Sequence, residues 1–528
     1  MRFLLAAIAI LVAVPAQAQQ WHRAETNNFI ILSQDSEEAT RSFASELERF
    51  DMALRSLQAL PIGEEQPSPS TKLTVYRFGD TSDIGRMAGM QGVAGFYIAR
   101  AGASVAFTPA RAESRRTMSV TNVDRSRARA NRLDEVSVLQ HEYVHYFMMQ
   151  HFPAAYPSWY VEGYAELLAT IRFNEDGSFH VGDPPQYRSD QIFGMSAFQL
   201  EDMLDSEHKL SGREGYQFYG TGWLFTHYLN FNPERLAQLN QYLAAIQQGE
   251  DSLEAGRRIF GDLRAIDREL LRYRSGAFPG FDVRPANYIE PVVEMRPLTA
   301  IEADLVDEEM RLRVGVDKDE AARLARSIAG STHAGSSQAL ALLADAQTTA
   351  EDYDAALATA QLLIALDPRN IEGPLTASYA ASEKSKDDPA FAARAVEYAA
   401  QAMSIDQLDP RPRIAYFYSF LASKQEAPDD AIIALEQVFE SAGTDPVYRI
   451  FLSRQLLFEN RLPAASAVLQ PIAFRGHSQG DPFEDEDEDD ADKPSLDKIM
   501  ALIEQNNRDA ALAMMDELIA DEDDEDDA

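Results

Sequence analysis

The five residues His141-Glu142-Tyr143-Val144-His145 restrict what this chain can fold into more than any other stretch. Side chains four apart lie one above the other on the same face of an α-helix, so the two imidazoles converge on one point only if this stretch is helical. Val138, Leu139, Val144 and Phe147 make the surrounding helix mostly apolar, and it is expected to be largely buried. A buried helix rarely carries His, Glu and His unless they are engaged. Histidine is scarce, with nine in 528 residues, and a chance H-E-x-x-H somewhere in such a chain has a probability on the order of one in a hundred. Neutral imidazoles and a carboxylate suit zinc, and a reactive zinc site takes three protein ligands and leaves a fourth position open. Glu142 would stand beside that open position.

A tetrahedral site cannot be completed from one helical face, so the third ligand is expected on a following helix. The first helix must end before Pro153, and Tyr156-Pro157-Ser158-Trp159 reads as a turn in which Ser158 caps the next one. In that second helix Glu162 and Glu166 again stand four residues apart. The resulting expectation is one Zn2+ per chain held by His141, His145 and Glu162, with Glu166 accepting a hydrogen bond from a ligating imidazole. Gly163 removes a side chain where two helices must approach closely around the metal. Taken alone, Glu162 and Glu166 would read equally well as two solvated carboxylates on an amphipathic helix.

The remaining chain divides into an α+β region and an all-α region. Asn28–Leu32, Lys72–Phe78 and Gly95–Phe107, the last with a central glycine, have the β-branched and aromatic content of strands. Glu38–Leu57 repeats Phe43, Leu47, Phe50, Leu54 and Leu57 at helical spacing. From about Leu133 onward helical patterns dominate. Pro279, Pro285, Pro291 and Pro297 mark a linker through which no helix could run. Beyond it the chain is alanine-rich, with a phrase that closes at Asp367-Pro368, Asp409-Pro410 and Asp445-Pro446, roughly 40 residues apart, and resembles a degenerate tetratricopeptide repeat (TPR). The expected organisation is a signal peptide over 1–18, a first domain over 19–283 with a small sheet plus a helical subdomain, a linker over 284–300 and TPR-like superhelical repeats over 301–475. An acidic, disordered tail over 476–528 follows, in which Leu496–Ile519 could form one helical hairpin.

H-E-x-x-H followed by Trp-x-x-Glu-Gly-x-Ala-Glu, here Trp159 to Glu166, resembles the gluzincin metallopeptidases, in particular the peptidase MA-like branch related to aminopeptidase N and more distantly to thermolysin. The resemblance covers about residues 20–275 and implies a thermolysin-like zinc metallopeptidase domain. In that clan the two histidines and the glutamate before glycine bind zinc, which carries over to His141, His145 and Glu162, and the motif glutamate, Glu142, polarises the water. The spacing from His145 to Glu162 is shorter than in aminopeptidase N-like enzymes, so the intervening loop must be tighter. Tyr219 to Gly222 resembles the Tyr-x-x-Gly helix start of those enzymes, which implies that Tyr219 steadies the oxyanion; Tyr216 is its rival. The resemblance further implies that Gly95, Phe96 and Tyr97 present an edge strand to an extended peptide or protein substrate.

Address and partners follow from charge and composition. Met1-Arg2, the apolar run Phe3–Val14 and Ala16-Gln17-Ala18 have the form of a secretory signal peptide, so the mature chain is expected to be periplasmic or secreted and without a transmembrane span. The formal net charge of −37 opposes binding to phosphate backbones, and no nucleic-acid partner is expected. Much of that charge lies in Glu484–Asp490 and Asp521–Asp527, while Arg111, Arg115, Arg116, Arg125, Arg127, Arg129 and Arg132 precede the histidine motif as a solvated loop or an attractor for the tail. The absence of cysteine excludes disulfides and thiolate metal sites. These features fit an exported zinc metallopeptidase whose TPR-like region recruits a protein partner. They also fit a non-enzymatic TPR scaffold with a relic zinc domain, or a hydrolase of a non-peptide amide.

Overall fold

The structure is a computed structural model that describes residues 21–63, 68–90, 93–111, 135–194, 198–206, 208–473 and 494–524. The signal-like segment 1–18, the arginines from Arg115 to Arg132 and the acidic run Glu484–Asp490 lie outside the described residues. The architecture is mixed α+β, with two small sheets and many helices.

The first sheet is built around an apolar strand. β2 (Phe29–Ser33) is buried at all five positions and lies between β3 (Leu73–Phe78) and β1 (His22–Glu25). The full order is β4-β5-β3-β2-β1-β9, with β2, β3 and β5 (Val105–Pro109) parallel, and β4 (Phe96–Ile98), β1 and β9 (Glu294–Pro297) antiparallel to their neighbours. Successive strand residues point to opposite faces. Ile31, Val75 and Ala106 face α1 (Glu37–Leu57) and α3 (Glu135–His151), whereas Leu32, Tyr76 and Phe107 face α2 (Thr81–Met87) and α11 (Ala300–Val314). Coverage of both faces explains why the parallel strands read as nearly continuous apolar runs. α1 starts where the Ser36 side chain accepts from the Ala39 N–H, with Glu37 and Glu38 in the first turn, and buries Phe43, Leu47, Phe50 and Leu54.

Two expectations about this sheet are corrected. Gly95–Phe107 is not one strand but the hairpin β4–β5, whose turn carries Gly102 at φ +55° and Ala103 at φ 113°. Its turn sequence lacks the Asn-Gly or Asp-Gly pair that marks most tight hairpins, so the reversal is not visible in composition. The proline-rich segment 284–300 carries no helix before α11, as expected, but it is not a free linker. Its β9 pairs with β1, from His22 opposite Pro297 to Glu25 opposite Glu294, and closes the sheet's edge.

Helices then dominate: α4 (Ser158–Leu168), α5 (Ser189–Phe193), α6 (Leu200–Met203), α7 (Gly212–Asn230), α8 (Pro233–Ile246), α9 (Ser252–Phe260) and α10 (Leu263–Tyr273). A three-stranded sheet of β6 (Arg172–Phe173), β7 (Phe179–Val181) and β8 (Phe281–Val283) lies among them. The alanine-rich region forms α11, α12 (Lys318–Ala329), α13 (Ser337–Thr349), α14 (Tyr353–Leu366), α15 (Glu372–Ser385), α16 (Ala392–Ile405), α17 (Arg411–Ala422), α18 (Asp429–Gln437), α19 (Phe439–Ala442), α20 (Pro446–Phe458) and α21 (Leu462–Ala473). Neighbouring helices pack through small residues, among them Ala356, Ala360, Ala377 and Ala380, which let the axes come close.

In the tail, α22 (Leu496–Glu504) and α23 (Arg508–Asp524) form the expected hairpin, with Ile499, Met500, Ile503, Ala511 and Met515 buried against α20 and α21. The helix continues through Asp524, so the second acidic run is helical where it is described rather than disordered. Once a helix is nucleated, each added residue gains a hydrogen bond at little further cost, and acidic residues do not stop it. No helix among the described residues is long and apolar enough to cross a membrane.

Candidate metal centre

Helix α3 is apolar on its inner side, where Leu139, Tyr143, Val144 and Phe147 are buried in the main core. His141, Glu142 and His145 lie half-buried on the same helix. Helix α4 faces them. It begins at Ser158 itself, with Pro157 as the last extended residue and no side-chain cap; proline's fixed φ suits that position, so the expected Ser158 cap does not form. Glu162 and Glu166 are both buried, at 1% and 0% exposure, which removes the reading of two solvated carboxylates.

The three expected ligands converge. His141 Nε2 lies 3.1 Å from Glu162 Oε2 and 3.1 Å from His145 Nε2, and His145 Nε2 lies 3.3 Å from Glu162 Oε1. One donor atom from each residue fits within 4.8 Å of the others. Ligand bonds of about 2.0–2.1 Å in a tetrahedral arrangement place neighbouring donor atoms about 3.3 Å apart, so two imidazoles and one carboxylate at this spacing fit a zinc ion. The close carboxylate also sets the proton affinities. Burial opposes a charge on His141, but the hydrogen bond and charge of Glu162, with Glu166 and Glu142 beyond it, raise its pKa to about 9. Burial pushes Glu142 up to about 7, with His141 opposing the rise and Glu162 and Glu166 adding to it. A carboxyl poised there can hold or release a proton near neutrality.

Glu166 departs in detail from its expected role. Its Oε1 lies 3.6 Å from His141 Nδ1, an ion-pair approach beyond hydrogen-bond range, because both of its oxygens are engaged elsewhere. Oε1 accepts from Arg188 Nε at 2.9 Å and Oε2 accepts from the Tyr187 hydroxyl at 2.8 Å. Tyr187 and Arg188 escape sequence reasoning altogether, since they sit in a short 3-10 turn, Gln186–Arg188, with no motif around it.

Tyr219 is brought to the site. Its ring centroid is 6.5 Å from that of His141, and the Arg188 guanidinium carbon lies 4.5 Å from the centre of its ring. Burial, reinforced by Glu162, raises its hydroxyl well above the usual tyrosine range, so it stays a neutral O–H. Tyr216 is 55% exposed, whereas Tyr219 packs against His141 and Arg188. The expected helix start is corrected: α7 begins at Gly212 behind a Ser211–Glu214 capping box, and Tyr219 lies two turns inside it.

Gly163 does mark a close approach, but of α4 to α7 rather than to the histidine helix. A Cβ at Gly163 would lie 2.3 Å from Thr226 Oγ1 and 2.4 Å from the Gly222 carbonyl oxygen. Gly95, Phe96 and Tyr97 lie at or just before β4, which among the described residues pairs only with β5 at the sheet's edge. Gly95 abuts Val138 of α3, and the Tyr97 ring meets Tyr146, the neighbour of His145, edge to face at 5.5 Å. The sequence matches no protein-family model and no curated protein.

Proposed function

We propose that the chain is an exported zinc metallopeptidase of gluzincin type, with a thermolysin-like first domain followed by TPR-like repeats that orient protein substrates. The convergence of His141, His145 and Glu162, with Glu142 on the same turn of α3, carries this reading. His141, His145 and Glu162 would hold a zinc ion, which when bound would supply Lewis acidity for a peptide carbonyl and for a water. Glu142, on the same helix as the two histidines, accepts the water's proton and delivers it to the leaving amine. Tyr219 offers a neutral O–H donor to the developing oxyanion, preorganised by the α7 backbone and the Arg188 stack. A site that was only structural would have no use for a poised general base beside the metal.

The test is metal analysis of the purified protein together with chelator-sensitive cleavage of a peptide library. Glu142→Gln is expected to retain one zinc per chain and to lower the cleavage rate by about 10²- to 10⁴-fold, the usual contribution of a general base. Wild-type activity in that variant, or no zinc in the native protein, would sink the reading.

A further inference from the structure

Two of the three Asp-Pro corners that punctuate the repeats meet the turn of the β4–β5 hairpin. Ala101 donates its backbone N–H to Asp445 Oδ2 at 2.6 Å, while Asp445 Oδ1 accepts from the Tyr448 N–H and caps α20. The Ala101 side chain is buried in the repeat core with Phe417, Tyr418 and Leu435. At Gly102 a Cβ would lie 3.1 Å from both Asp409 Oδ1 and Pro410 Cδ. Asp409 is held from behind by Arg411, which also pairs with Glu372. Ser68, just before β3, donates to Asp406 at 2.5 Å, and Gln150 at the end of the histidine helix donates to the Glu440 carbonyl.

The turn itself is strained. Ala103 has φ 113°, which side-chain-bearing residues rarely adopt, and such conformations persist only where the surroundings impose them. β4 is three residues long, with a strand neighbour on one side only among the described residues, so its own pairing holds it weakly. Alongside the β5 pairing and the Phe96–Phe107 stack, the contacts at its turn and the packing of Gly95 and Tyr97 on α3 hold it against the histidine helix.

We infer that the repeats act in cis: the corners at Asp409-Pro410 and Asp445-Pro446 grip the β4–β5 turn and set the edge strand β4 beside α3, making the repeat region a positioning element for an extended peptide. A strand already ordered binds an added peptide strand without paying its own ordering entropy. The link to substrate rests on the peptidase reading; the grip itself does not.

Asp445→Asn in the full-length protein separates the two. An asparagine keeps an oxygen for the α20 cap but turns an N–H₂ toward the Ala101 N–H. Amide hydrogen exchange at residues 96–104 is expected to accelerate tenfold or more. KM for peptides of six or more residues is expected to rise about tenfold, with kcat and zinc content unchanged. Gly102→Ala reaches the same contact from the hairpin side, so a folding defect in either variant leaves the other to decide. Unchanged exchange in a folded variant would overturn the grip, and faster exchange with unchanged KM would overturn its role in substrate binding. If the native protein binds zinc but cleaves no peptide, the peptidase reading and the substrate link fall together, and the exchange data still decide the grip.

Discussion

Arg188 holds one oxygen of Glu166 from two nitrogens: Nε donates to Oε1 at 2.9 Å, and Nη2 forms an ion pair with the same oxygen at 2.8 Å. Glu166 in turn stands 3.6 Å from the far nitrogen of His141, so a residue from an unremarkable 3-10 turn supports the candidate ligand His141 at one remove. Outer partners of this kind typically account for about 10- to 100-fold in metal affinity. Arg188→Ala should therefore weaken zinc binding by about that factor, read by competition with a chromogenic chelator. Arg188→Lys should recover only part of it, because an ammonium cannot reproduce the planar fork.

Tyr219→Phe should leave zinc content unchanged and lower kcat by about 10- to 10³-fold with little change in KM, the pattern of a donor that acts only in the transition state. Tyr216→Phe, at an exposed ring, should leave both constants as they are. Equal effects of the two variants on cleavage kinetics would remove Tyr219 from the mechanism.

Gly163→Ala should destabilise the protein by about 1–3 kcal/mol, the range for overpacking a tight contact, because the added methyl meets Gly222 backbone as well as Thr226. Since Gly163 adjoins Glu162, zinc affinity should fall with it. Urea unfolding midpoints of the metal-free and zinc-loaded forms measure both effects.

His227 makes stability depend on acidity. It is fully buried, with Nδ1 2.8 Å from the Tyr273 hydroxyl and Nε2 3.1 Å from the Gly182 carbonyl oxygen, and burial lowers its pKa from 6.5 to about 4. Between those values the unfolded chain binds the proton and the folded chain does not, so stability is complete above about 6.5 and falls as the pH drops toward 4. The loss should reach roughly 3 kcal/mol at the acid end. His227→Gln should flatten that part of the stability–pH curve even if it lowers stability at neutral pH.

Residues carrying chemistry at fixed helical spacing were the most legible part of the chain. His141, Glu142 and His145 need only one helix to stand together, so local periodicity was enough to place them; Glu162 was legible as a carboxylate on the next helix, and the packing of α4 on α3 brings it to 3.1 Å from His141 Nε2. Gly163 was legible as a close approach but not as to its partner, because a missing side chain does not say which helix fills the space. The hairpin at Gly95–Phe107 was hidden because its turn lacks the Asn-Gly or Asp-Gly pair that marks most tight hairpins. The strand β9 was hidden among prolines because its partner β1 lies at the other end of the first domain.

The sequence by itself determined most of the elements and the candidate ligand residues: an apolar helix with two histidines four apart, a second helix with its glutamates, strands of buried β-branched residues and alanine-rich helices punctuated by Asp-Pro corners. These depend on the spacing of side chains along a single element, which the order of residues states directly. Only the tertiary structure decided that Arg188 supports Glu166, that the Tyr219 ring lies beside His141, and that Asp409 and Asp445 meet the β4–β5 turn. Those pairings join residues up to 344 positions apart, and they arise from how buried faces pack across elements.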